Sequence, residues 1–199
     1  MSDGFTQIGS YAFGGVNKVT TVTLPESLPT INKEAFNGCS SMGNVKFKGT
    51  PAQWAAIEFK GGGQMGHSHP LGARTSGTHN YYFYGSETAS TTIFIEPTIE
   101  KIINCAFYRG NFSSVCIPGT IGTIGDSTFY GCSSLNEILI NRHTAPTVGT
   151  NTFYNIAGSG NYYVPSSNSE YINSKWGSLK KNTCTINANL EEGIPWTLD

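Results

Sequence analysis

Six short triplets in this chain place an apolar residue on each side of a middle residue of variable polarity. They read V-T-L at 22–24, V-K-F at 45–47, I-F-I at 93–95, V-C-I at 115–117, I-L-I at 138–140 and Y-Y-V at 162–164. Side chains alternate between the two faces of a β-strand. The pattern therefore predicts short strands whose outer residues face a core and whose middle residues face outward.

A second phrase consists of an isoleucine or valine followed five residues later by phenylalanine. The phenylalanines are Phe13, Phe36, Phe107, Phe129 and Phe153, at steps of 23, 71, 22 and 24 residues. The long step is close to three periods, so it holds either degenerate copies or an insertion. A unit of this size cannot bury its own apolar face, whereas stacked units bury a continuous column. The period predicts a solenoid and lies in the range of leucine-rich repeats.

Two copies share the same pattern over twelve residues and are identical at five of them: FNGCSSMGNVKF from Phe36 and FYGCSSLNEILI from Phe129. They place Cys39 and Cys132 at equivalent positions. The chain has five cysteines, the others being Cys105, Cys116 and Cys184, and no C-x-x-C pair. We therefore expect Cys39 and Cys132 to be small buried residues at the bend of a coil, where small polar side chains satisfy the backbone of a neighbouring coil. The alternative is disulfide pairing.

Two short helices are predicted outside the repeats. Thr50 precedes P-A-Q-W-A-A-I, which fits a threonine cap with proline at the first helical position. Ser169 precedes E-Y-I-N-S-K-W, which could fold over the end of the stack as a cap.

These phrases resemble the BspA-type, or treponemal-type, leucine-rich repeats. The resemblance rests on IGDSTFYGCSSLNEILI, INKEAFNGCSSMGNVKF and IGSYAFGG, and it covers almost the whole chain. It implies one domain over 1–199, a right-handed and mainly β leucine-rich-repeat solenoid of 22–24-residue repeats with few helices and one curved sheet. Within it, 48–91 resembles a longer insert repeat and 165–199 a C-terminal capping segment. Two copies depart from the Gly-Cys pattern, at 14–16 and at 109–112.

The composition argues against nucleic-acid binding and against membrane insertion. Charged residues make up 13% of the chain and its net charge is −1, so a nucleic-acid partner is not expected. No apolar run is long enough for a membrane span, so we expect no membrane insertion. The residues after Met1 have neither a basic region nor an apolar core, so no signal peptide is expected here.

Candidate chemistry is sparse. His67 and His69 form H-x-H in a glycine-rich stretch, with His79 ten residues on. Such a pair could hold a metal on a strand, but a solvated loop is the favoured interpretation. Glu34, Asp126 and the other acids form no recognisable catalytic pair, and no phosphate loop occurs. The chain is therefore expected to be neither an enzyme nor a cofactor-binding protein.

The middle positions of the strands form the candidate partner-binding face: Thr23, Lys46, Phe94, Cys116, Leu139 and Tyr163. This row becomes apolar toward the C-terminal end, and monomers seldom leave such a row bare. Either the insert loop or the C-terminal tail covers it, or it binds a partner, or the register is wrong.

The resemblance implies an adhesion module of a bacterial cell-surface or secreted protein, which binds a host or neighbouring-cell protein. One alternative is a structural unit of a larger surface or virion-associated complex that self-associates or buries the row against another chain. The other is a metal-dependent or carbohydrate-active module that uses the histidine loop.

Overall fold

A computed structural model describes residues 4–61, 69–72, 79–142 and 144–164, together with the backbone of the strand at 180–183. Over these residues the chain forms thirteen short strands and one helix. In chain order they are β1 Thr21–Leu24, β2 Thr30–Ile31, β3 Asn44–Phe47, α1 Pro51–Ala55, β4 Glu58–Phe59, β5 Asn80–Tyr82, β6 Thr92–Phe94, β7 Lys101–Ile102, β8 Ser114–Ile117, β9 Thr123–Ile124, β10 Glu137–Ile140, β11 Thr147–Val148, β12 Asn161–Val164 and β13 Lys180–Thr183.

The strands stack coil upon coil in parallel pairs. The longer strands form the orders β1-β3-β5 and β6-β8-β10-β12-β13, and the two-residue strands form β2-β4 and β7-β9-β11. Equivalent residues of successive repeats are direct neighbours, as for Ile138 with Val115 and Tyr162. The predicted repeat solenoid is confirmed, and so are the strands expected at all six triplets.

The expectation of one curved sheet is wrong, because the long strands divide into two sheets between β5 and β6. Only nine residues separate Tyr82 from Thr92, whereas a complete coil takes 22 to 24. β6 therefore does not follow β5 by one full turn of the solenoid and does not pair with it. We call this boundary the seam.

One apolar core nevertheless runs through both stacks, from Ile8 to Val164. Each repeat adds its phenylalanine to this core, and the rings stack in register. Phe129 lies between Phe107 and Phe153, with centroid separations of 5.5 and 5.6 Å and nearly parallel planes. The recurrence of phenylalanine in the sequence thus reflects one layer of the stack.

Each repeat turns at two residues with left-handed backbone, one two positions before the phenylalanine and one two positions after it. The pairs are Tyr11 and Gly15, Glu34 and Gly38, Cys105 and Arg109, Ser127 and Gly131, and Asn151 and Asn155. A side chain at positive φ is strained, and glycine or asparagine relieves that strain. The departure from Gly-Cys at 109–112 therefore leaves the backbone geometry unchanged and puts Arg109 at φ 55°.

The two equivalent cysteines hold successive coils together without disulfides. The Cys39 thiol donates to the carbonyl of Phe13 and the Cys132 thiol to that of Phe107, both at 3.0 Å. Each acceptor belongs to the preceding coil. Cys39, Cys105, Cys116 and Cys132 are all free and buried, which confirms the expected role, and Cys184 lies outside the described residues.

The first predicted helix is confirmed as α1. The Thr50 side chain accepts a hydrogen bond from the Gln53 backbone N–H, the Gln53 side-chain oxygen accepts one from the Thr50 N–H, and Pro51 occupies the first turn. The carbonyl of Ala55 then accepts from the N–H of Ile103 across the seam, at 3.1 Å. The second predicted helix, after Ser169, lies outside the described residues.

Candidate binding surface

The outward middle positions line up as the sequence predicted. Phe94 pairs with Cys116, Cys116 with Leu139, and Leu139 with Tyr163, on four adjacent strands. We call these four residues the outer ladder. The remaining two candidates, Thr23 and Lys46, pair with each other on the other side of the seam.

The centre of the outer ladder is not bare. Leu139 is 3% exposed and Cys116 is 7% exposed, yet neither belongs to the apolar core on the inner side of the sheet. Phe94 and Tyr163, at the two flanks, are half-buried. The outer ladder therefore presents two aromatic flanks around a closed centre.

The Cys116 side of the outer ladder carries a shallow depression with about 10 Å³ of free volume, bordered by Phe94, Pro97, Pro118 and Asn141. Such a volume holds one water molecule at most. Burial raises the pKa of the Cys116 thiol to about 12, and the neighbouring Glu137 carboxylate adds to the effect. The thiol is thus protonated at neutral pH and is a poor nucleophile.

The first sheet continues the outward row with a residue that the sequence analysis missed. Tyr82 on β5 pairs with Lys46, and the Lys46 ammonium lies 5.5 Å from the centroid of its ring. Lys46 also forms an ion pair with Glu87, while Thr23 is exposed. The apolar-x-apolar form of Tyr81, Tyr82 and Phe83 was a usable signal for this strand.

A row of polar side chains crosses the seam beside this face. Ser134 Oγ donates to Asn111 Oδ1 at 2.8 Å, and Asn111 Nδ2 donates to Asn80 Oδ1 at 3.2 Å. Asn80 Nδ2 donates in turn to Asn44 Oδ1 at 3.1 Å, and Asn44 Nδ2 to Thr21 Oγ1 at 3.3 Å. All four hydrogen bonds run in one direction, so these side chains join the two stacks where the sheet does not.

The solvated-loop interpretation is wrong for His69 and His79, which are buried at 0% and 3% exposure; His67 lies outside the described residues. The His69 ring packs against aromatic side chains from several segments: Trp54, Phe59, Tyr81 and Tyr108. A glycine-rich stretch around a histidine favours an exposed side chain. That prediction fails here because aromatic residues from distant parts of the chain enclose the ring.

Both ring nitrogens of His69 are engaged. Nδ1 accepts from the Leu71 N–H at 3.1 Å, so the ring proton is on Nε2, which faces the Tyr81 hydroxyl at 3.0 Å. That hydroxyl donates to the carbonyl of Tyr108 at 3.1 Å. Burial lowers the pKa of His69 to about 3. The ring is therefore neutral and has a structural role at the seam.

The described part of the chain contains no cluster of three histidine, cysteine or acidic side chains that could bind a metal ion. Over the same residues, no helix combines the length and the apolar character that crossing a bilayer requires.

The comparison with protein-family models agrees with the geometry. The family model for the BspA type leucine-rich repeat region matches 1–61 and 76–191 in six copies. A solved leucine-rich repeat protein from Bacteroides ovatus is 14% identical, with a TM-score of 0.33; the match covers 90% of this chain and 64% of that one. No curated protein matches. Since the family model spans well over half of the sequence, the chain belongs to the BspA-type leucine-rich repeat family.

Proposed function

We propose that this chain is a protein-binding module of the adhesion type, carried by a bacterial cell-surface or secreted protein. Its partner is a protein on a host cell or a neighbouring cell. The observation that carries the proposal is the in-register outer ladder, whose members lie on the opposite side of the sheet from the core. A solenoid of this kind presents varied side chains on a repeated frame, which suits protein recognition.

The chemistry of the face supports a protein partner. Phe94 and Tyr163 are half-buried aromatic residues on strands β6 and β12, which have β8 and β10 between them, and aromatic residues are enriched at protein interfaces. Between these two aromatic residues, the side chains of Cys116 and Leu139 are buried and hold the intervening strands in place.

The test measures adhesion of beads coated with the purified chain to cultured cells. We expect binding that is lost when the cells are treated with protease and is weakened at least about tenfold by Phe94→Lys. Tyr84→Lys is the matched control, since Tyr84 is 62% exposed and lies off the outer ladder. Leu139→Lys is unsuitable, because it would bury a charge and destabilise the fold.

Two results would contradict the proposal. One is adhesion that survives protease treatment of the cells, which would indicate a carbohydrate or lipid partner. The other is equal adhesion of the Phe94→Lys and Tyr84→Lys variants, which would remove the outer ladder from the contact. Surface biotinylation of cells that express the full gene tests the localisation.

A further inference from the structure

Asn37 and Gly38 form the one Asn-Gly pair in the chain. They belong to the turn that follows Phe36, in which the Gly38 backbone is left-handed at φ +78°. Any other residue would be strained there, so the turn geometry keeps a glycine directly after residue 37. Asparagine is a chemically labile residue, and a following glycine, which lacks Cβ, hinders its cyclisation least.

The Asn37 side chain lies in an open part of the surface. At the equivalent position, three later turns carry tyrosines that stack on one another: Tyr108, Tyr130 and Tyr154. In the coil before Asn37, the equivalent residue is Gly14, which has no side chain to cover the turn. Asn37 is half-buried, while Gly14 and Gly38 are exposed. Solvent water therefore reaches this turn.

The backbone nitrogen of Gly38 is available to react. Cyclisation of an asparagine begins when the backbone nitrogen of the next residue attacks the side-chain carbonyl carbon, Cγ. Among the described residues, the Gly38 N–H donates to no backbone or side-chain acceptor. Asn136 offers a comparison, since it is exposed but the N–H of the following Glu137 donates to the Ser113 carbonyl at 3.1 Å.

A carboxylate lies beside the side-chain amide of Asn37. The Nδ2 atom of Asn37 donates to Oε2 of Glu34 at 3.0 Å. The other oxygen of Glu34 lies 3.8 Å from the Lys33 ammonium. This contact requires an uncharged donor at position 37, because a carboxylate in place of the amide would face the Glu34 carboxylate, and like charges repel.

We propose that Asn37 is a site of spontaneous deamidation, and that its modification loosens the first coil from the second. The Gly38 nitrogen forms a bond to Cγ of Asn37 and loses its proton, the Cγ–Nδ2 bond breaks, and Nδ2 leaves as ammonia. Water then opens the resulting succinimide at either of its two carbonyl carbons. One opening gives aspartate, and the other gives isoaspartate, in which the main chain runs through the former side chain. The net reaction is a hydrolysis.

Both products disturb the junction between the first two coils. Each places a new carboxylate near Glu34, and isoaspartate also adds one carbon to the main chain of the turn. The carbonyl of Asn37 accepts the Gly15 N–H at 2.7 Å, and the thiol of Cys39 donates to the Phe13 carbonyl at 3.0 Å. A longer and more charged turn strains both bonds, so residues 4–24 should open more readily as the protein ages. This proposal does not depend on adhesion through the outer ladder.

Incubation of the purified chain at mildly alkaline pH, followed by peptide mass mapping, tests the reaction. Asn37 should gain the mass of about 1 Da that deamidation adds, at a rate at least about tenfold above that of Asn136. The product should contain both aspartate and isoaspartate, and an isoaspartate-specific methyltransferase detects the latter. Asn37→Gln is the matched variant, because its longer side chain must close a larger ring and should stay unmodified.

Amide exchange measures the effect on the junction. The Gly15 N–H should exchange at least about threefold faster in the aged protein and in Asn37→Asp. The Gly131 N–H makes the equivalent bond to the Tyr154 carbonyl at 2.8 Å, and its exchange should not change. Adding Glu34→Gln to Asn37→Asp should restore part of the protection at Gly15, because it removes the repelling charge. Far-UV circular dichroism checks that each variant is folded.

Three results would overturn the proposal. The first is modification of Asn37 no faster than that of Asn136. The second is formation of aspartate without isoaspartate, which would indicate direct hydrolysis of the side chain instead of attack by Gly38. The third is exchange at Gly15 that stays the same once Asn37 has been converted.

Discussion

The Nε2 atom of His69 lies 3.0 Å from the hydroxyl of Tyr81, and that hydroxyl in turn donates a hydrogen bond to the Tyr108 carbonyl across the seam. The neutral imidazole is required, because Nδ1 accepts the Leu71 N–H. Protonation would place two N–H groups against each other in a buried site.

This contact predicts that the protein loses stability in acid. The pKa of His69 is about 3 in the folded chain and about 6.5 in an unfolded one. Between these values the unfolded state binds more protons. The contribution of His69 to the free energy of unfolding is therefore at its full value above about pH 6.5. As the pH drops below about 6.5, the free energy of unfolding decreases by up to about 1.4 kcal/mol per pH unit.

Urea unfolding at pH 7.5, 6.5 and 5.5 measures the effect above the range in which carboxylates titrate. His69→Phe should lower stability at every pH and flatten the pH slope. An unchanged slope in His69→Phe would show that the ring is not the acid-sensitive group.

Cys132→Ala should destabilise the fold by about 2 kcal/mol, because it removes the hydrogen bond to the Phe107 carbonyl and leaves a small cavity. Cys116→Ala is the matched control, since Cys116 is buried outside the core and no hydrogen bond from its thiol is seen. Thermal unfolding of both variants checks the difference. Equal losses would mean that volume alone matters at these sites.

Gly131→Ala should cost about 1–2 kcal/mol. Gly131 has φ +72°, and a Cβ there would lie 3.0 Å from Cγ of Arg109. Gly158→Ala is the control, because φ is ordinary at Gly158 and nothing lies within 4 Å of its added Cβ; the unfolded chain then loses entropy and the fold gains about 0.5 kcal/mol. Effects of the same sign in both variants would contradict the left-handed turn.

Asn80 and Asn111 should be energetically coupled, because their side chains bridge the seam at 3.2 Å. A double-mutant cycle of Asn80→Ala and Asn111→Ala, measured by urea unfolding, should give a coupling of about 0.5–1.5 kcal/mol. Additive losses would mean that each asparagine acts through its other partner, Asn44 or Ser134.

The repeat phrases predicted the strands, the core column and the role of Cys39 and Cys132, because those features depend on residues that recur at a fixed step. The seam depends instead on the length of one connection: only nine residues lie between Tyr82 and Thr92, too few for a full coil. The burial of His69 could not be predicted, because the rings of Trp54 and Tyr108 reach it from distant parts of the chain.

For the candidate face, sequence predicted the register of the outer ladder but not its solvent exposure. Alternation along a strand assigns Leu139 to the outer side of the sheet. Whether a side chain on that side is open to solvent depends on packing beyond its own strand. That is why Leu139 is both outward-facing and 3% exposed.

In the turns of Phe36, Phe129 and Phe153, three backbone carbonyls accept N–H groups from the coil before, and this bears on how the protein changes length. The bonds that join the coil of Phe107 to that of Phe129 are repeated between Phe129 and Phe153. A duplication or deletion of one whole period in this region therefore reproduces the same junction, and the gene can lengthen or shorten there in single steps. The junction at the seam has no such copy among the described residues, so adding or removing one whole period there would not reproduce it.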